Sequence, residues 1–124
     1  MDATKLNELY TTNGLTKDDV FKHKFYTIIS RSGIDKIQAK NNILISYELI
    51  HNSEDNKCII IKATAKAGEQ VIETFGESSP SNTTNSYPVA MAEKRAMSRA
   101  VLKLTGFYEL GHFGEDESED FKRK

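Results

Sequence analysis

The sequence holds a single cysteine, Cys58, so no disulfide can form within the chain. That cysteine opens the apolar run Cys58-Ile59-Ile60-Ile61, where a buried and inert thiol is expected rather than a nucleophile. No apolar stretch approaches the ~18 residues of a membrane-spanning helix. The opening residues, Met1-Asp2-Ala3-Thr4-Lys5, carry no signal-peptide pattern. A cytoplasmic chain with no membrane partner is therefore expected. The three histidines, His23, His51 and His112, are scattered without metal-ligand spacing and read as surface or edge residues. No Gly-x-Gly-x-x-Gly phosphate loop is present, and no serine is paired with a base. These absences argue against an enzyme and leave no cofactor, metal site or catalytic residue to assign. Internal repeats are missing as well.

What is present suits one small α+β domain. The chain has 124 residues, 38% hydrophobic and 28% charged, enough for one core with some solvated length. A net charge of -1 hides an asymmetry. Residues 109–124 hold six acids against three bases, which leaves 14 bases against 12 acids in the body. A mildly basic body with an acidic tail is compatible with nucleic acid as partner. Residues 1–113 read as the domain, and residues 114–124 as an acidic, disordered tail.

Leu6, Leu9 and Tyr10 have helical spacing before the stop at Thr11-Thr12-Asn13-Gly14, so a short N-terminal helix is expected. Thr16 and Asp19 form a capping-box pair, with Leu15 and Val20 placed as its hydrophobic staple; a helical turn should start at Lys17. Phe25 to Ile29 is β-prone, and one or two helical turns follow around Ile34 and Ile37. Three strands come next: Ile43 to Ile50, Lys57 to Ala65, and Gln70 to Phe75. In the last of these, Val71, Glu73 and Phe75 share one face and Ile72 and Thr74 the other. Short turns between the three predict an antiparallel β-meander, which an N-terminal strand can extend. Gly76 to Tyr87 reads as a polar loop. Pro88 then suits the first position of a helix that Gly106 ends.

That helix carries the functional argument. At 100° per residue Arg95, Arg99 and Lys103 fall in one stripe, flanked by Lys94 and Ser98. Ala96, Ala100 and their apolar neighbours form the opposite arc, small enough to sit close to the sheet. Glu93 falls inside that arc. Spacing alone describes an ordinary amphipathic helix with a solvated basic face. The arginine fork and the adjoining polar loop point further, to phosphate. Nucleic acid and an acidic protein partner both remain open on this evidence. Aromatics such as Tyr47 and Phe75 read mostly as core, with one or two free to stack on bases.

A meander, a polar loop and then Ala92-Glu93-Lys94-Arg95-Ala96-Met97-Ser98-Arg99, running on to Thr105-Gly106-Phe107-Tyr108-Glu109-Leu110-Gly111, resembles the single-strand annealing proteins. These include Erf-type phage recombination proteins and the eukaryotic annealing mediators of double-strand-break repair. The resemblance covers about residues 43–117. It implies ATP-independent binding and annealing of single-stranded DNA in a groove between sheet and helix, homo-oligomers such as rings or filaments, and a phage or prophage origin. By position it implies that Lys94, Arg95, Arg99 and Lys103 contact DNA, and Arg31 and Lys36 are further candidates for phosphate. The chain is shorter than most members, and residues 29–37 match less clearly, which bears on ring formation more than on DNA contact. The alternative is a phage accessory module whose basic helix meets an acidic partner protein.

Overall fold

The structure, a computed structural model, describes residues 3–23, 26–55, 57–80 and 88–115. Its elements run α1 (Ala3–Thr12), β1 (Val20–His23), β2 (Tyr26–Ile29), α2 (Arg31–Lys40), β3 (Leu44–Asn52), β4 (Ile59–Ala67), β5 (Gln70–Ser78) and α3 (Pro88–Thr105). A 3-10 turn at Tyr108–Leu110 and a short β6 (His112–Gly114) complete them. The acidic tail expected from residue 114 falls mostly outside the described residues, as does the greater part of the polar loop, residues 81–87.

The expected α+β architecture is present. β3, β4 and β5 form the antiparallel meander, with register pairs Ala63↔Thr74 and Tyr47↔Ala63. Gly68 makes the β4–β5 turn at φ +62°, a left-handed conformation that fits a two-residue hairpin. Gly106, at φ +89°, stops α3 where expected. β5 is longer than expected and runs to Ser78, because Gly76 and Ser78 still pair with Ile61 and Ile59.

The N-terminal strand does not extend the meander. β2 instead pairs antiparallel with β1 and parallel with β6, making a second three-stranded sheet. Half of the capping box at Thr16 forms, with Asp19 Oδ2 accepting from the Thr16 amide at 2.9 Å, while the Asp19 amide donates to the Thr16 carbonyl, and only a turn follows before β1 starts. Asp19 is buried and also accepts from Ser32 Oγ at 2.8 Å and Lys36 Nζ at 2.7 Å. It thereby ties the turn to α2, whose N-cap Ser30 accepts from the Gly33 amide. The Lys36 ammonium holds the Asp19 carboxyl far below its usual range against the opposing pull of burial.

These two sheets place α3 between them. On one side Gly76 lies against the backbone of Ala92 and Ala96, and Thr74 Oγ1 donates to the Ala96 carbonyl at 2.7 Å. On another side Gly114 of β6 lies against Ser98, while α2 packs alongside. Residues 95 to 98 are therefore buried on four consecutive helical directions, a full turn of the helix. The main core joins Ile29, Ile34, Ile37, Ala63, Ala65, Ala96, Ala100, Val101, Leu102 and Phe107 across these layers. Cys58 is half-buried rather than buried, since it precedes the first inward position of β4, Ile59.

Candidate nucleic-acid interface

The expected solvated basic stripe is absent from α3. Arg95 is 1% exposed, and its Nη1 donates to the Glu77 carbonyl at 2.9 Å. Arg99 Nη1 donates to the Phe75 carbonyl at 2.7 Å. The same guanidinium clasps the Glu77 carboxylate at both ends, at 2.7 Å and 3.0 Å. This clasp holds the Glu77 carboxyl below its ordinary range, against burial. Both arginines thus cover the free edge of β5, the outer strand of its sheet. The cause of the difference is the edge of β5, whose outward carbonyls and Glu77 carboxylate draw both guanidinium groups onto the sheet.

The other four candidates are dispersed. Lys103 lies with its Nζ 4.9 Å from the centroid of the Tyr108 ring, a cation–π contact near the C-terminal end of α3. Lys94 is half-buried on α3, on the side away from the meander. Lys36 is bound to Asp19. Arg31, at the start of α2, makes a 3.6 Å ion pair with Asp35, a pair half-open to solvent that contributes little. Its Nε is shielded from solvent and has no hydrogen-bond partner among the described residues.

One aromatic stands out by position. Tyr47 belongs to the inward face of β3, the same face on which Ala63 and Ala65 of β4 meet α3. Yet it is 42% exposed, because α3 packs over β5 and β4 and leaves β3 largely uncovered. Burial raises the Tyr47 phenol above its ordinary value; Glu93 of α3 adds to the rise and Arg31 of α2 opposes it. Charges from both helices therefore reach the ring. Leu49 of the same face and Val89 of the first turn of α3 are also exposed. Tyr47 thus stands on the helix-facing side of β3, on the part of the sheet that α3 leaves uncovered. The sequence reads Tyr47 among aromatics that are mostly core, with one or two free to stack on bases. The alternation Ile45, Tyr47, Leu49 marks its face correctly but carries no information on where the helix stops covering the sheet.

The opposite face of the meander also exposes an aromatic, Phe75, with Val71 and Leu44, but it faces away from both helices. Its central cation, Lys62, is held by Glu48 at 3.4 Å and Glu73 at 3.2 Å, so two carboxylates outweigh the one cation there. Among the described residues no group of three His, Cys, Asp or Glu side chains is placed to hold a metal ion, and no helix is long and apolar enough to cross a membrane. No family model, curated protein or solved structure matches this chain.

Proposed function

We propose that the chain binds single-stranded DNA on β3 beside α3, as an ATP-independent strand-annealing protein of phage recombination type. The observation that carries this reading is the half-open Tyr47 ring, set on the helix-facing side of the sheet where α3 leaves β3 uncovered. A base stacks on an aromatic face whatever its identity, and a guanidinium beside the stack takes the adjoining phosphate. This position between sheet and helix is also the one that the resemblance of residues 43–117 to the annealing proteins implies. Arg31 is the principal phosphate contact, while Lys94 lies on the far side of α3. Arg95 and Arg99 keep the fold rather than the ligand, since their donors already serve β5. The same fact weakens the alternative, because arginines bonded to the edge of β5 are not offered to an acidic protein.

The test is a fluorescence-anisotropy titration with labelled single-stranded and double-stranded oligonucleotides of one sequence, at several salt concentrations. Tighter binding of the single strand, weakening as salt rises, is the expected result. Annealing of complementary strands should accelerate without ATP. Equal or absent binding of both forms at low salt contradicts the proposal.

A further inference from the structure

β6 runs parallel to β2 and ends with Gly114 opposite Ile29. The next residue on each strand is polar. Ser30 caps α2, its Oγ accepting from the Gly33 amide at 3.1 Å. Glu115 reaches the same turn, and its Oε1 accepts from the Arg31 amide at 2.7 Å. Strand register thus joins residues 84 positions apart. Amides of a first helical turn lack partners within the helix and carry partial positive charge, so a carboxylate is favoured there. The Arg31 side chain is 41% exposed, and its ion pair with Asp35 is long, at 3.6 Å. Its sheltered Nε has no hydrogen-bond partner among the described residues, so the guanidinium keeps a donor that the fold does not use.

A carboxylate therefore sits on the backbone of the residue whose guanidinium is assigned to phosphate. Four more acids follow it closely: Asp116, Glu117, Glu119 and Asp120. Five residues span at most about 17 Å, so the Glu115 anchor keeps all four within that distance of itself. We infer, on the reading of Arg31 as the phosphate contact, that residues 115–120 are a built-in anionic competitor, which the Glu115 bond holds at Arg31 and which nucleic-acid phosphate must displace. A tethered competitor acts at an effective concentration of roughly millimolar, however dilute the protein. A long strand adds contacts elsewhere and displaces the acids. A short anion that touches Arg31 alone meets their full opposition. The device thus favours long strands over short anions.

The test uses the full chain and two probes: a labelled single-stranded oligonucleotide, followed by anisotropy, and inorganic tripolyphosphate, followed by calorimetry. Glu115→Gln removes the charge and keeps an oxygen for the Arg31 amide, so the fold should survive, as read by circular dichroism. A second variant neutralises the acids beyond it, with Asp116→Asn, Glu117→Gln, Glu119→Gln and Asp120→Asn. Glu69→Gln, an exposed acid on the β4–β5 turn, controls for net charge alone. At low salt each of the first two variants should bind both probes about threefold more tightly than the wild type, and the gain should fade as salt screens the charges. Glu69→Gln should bind as the wild type does. Tripolyphosphate affinities equal in all four proteins overturn the inference. So does a gain for Glu69→Gln as large as that for Glu115→Gln. If the chain does not bind DNA, tripolyphosphate still tightens in the two tail variants while no protein holds the oligonucleotide.

Discussion

Arg99 and Glu77 face each other through two hydrogen bonds, and the same arginine takes the carbonyl of Phe75 at 2.7 Å. One turn earlier Arg95 takes the carbonyl of Glu77 itself. Two helix residues thus close a sheet edge, and basic groups that look like ligand contacts act as structural latches. Arg95→Ala removes a fully buried charged donor and leaves a void, so it should cost about 3 kcal/mol in urea denaturation. Arg99→Ala, whose site is partly open to water, should cost about 1 kcal/mol. A double variant as stable as the wild type contradicts this assignment.

The close approach of α3 to β5 rests on Gly76. A Cβ there meets the Ala92 carbonyl oxygen and the Ala96 amide, both backbone atoms that cannot rotate aside. Gly76→Ala should therefore push the helix off the sheet and lower the melting temperature severely. Ala100→Leu, in the same buried interface, should cost about 1–3 kcal/mol by overpacking. Thermal melts followed by circular dichroism decide both. A Gly76→Ala protein with an unchanged melting temperature shows that the helix and sheet are not in contact as described.

His112 is buried, and Tyr10 Oη lies 2.7 Å from its Nε2, while its Nδ1 lies 3.3 Å from the Leu110 carbonyl. This suits a neutral ring that donates from Nδ1 and accepts the Tyr10 hydroxyl proton at Nε2. Burial lowers its pKa below the ordinary 6.5, with Lys22 adding to the effect and the Leu110 carbonyl opposing it. The unfolded chain therefore takes up this proton before the folded one does. The contribution of His112 to stability is complete above pH 6.5 and declines as the pH falls through the lowered folded value. Melting temperature should drop over that range in the wild type, and His112→Gln should flatten the drop. Parallel profiles for the two proteins would show that His112 does not titrate with unfolding.

The elements legible in the sequence were those with local signals. Pro88 and Gly106 bracket α3, and alternation in Gln70–Phe75 sets the faces of β5 correctly. The capping pair Thr16 and Asp19 forms only in half, and no helix follows it, because the chain enters β1 at Val20. The burial of Arg95 was not legible. A four-residue spacing of bases looks the same on a solvated helix as on one whose arginines close a strand edge. The second sheet was not legible either, because it depends on Thr27 pairing with His112, residues far apart in sequence. A weak signal existed, since Ala90, Ala92, Ala96, Ser98 and Ala100 spread small side chains around the helix rather than along one face. His112 was misread for the same reason, because its burial comes from Tyr10 and Phe107, which share no local pattern with it.

The most direct test of the DNA-binding account compares salt dependence in Arg31→Ala, Tyr47→Ala and wild type, using anisotropy with one labelled single strand. Arg31→Ala should lower affinity for all sequences alike and flatten the slope of log affinity against log salt by about 0.7, one phosphate contact. Tyr47→Ala should weaken binding by about 1–3 kcal/mol through lost stacking while leaving that slope unchanged. Folded variants that both bind with wild-type affinity and slope would contradict the placement of DNA on β3 beside α3.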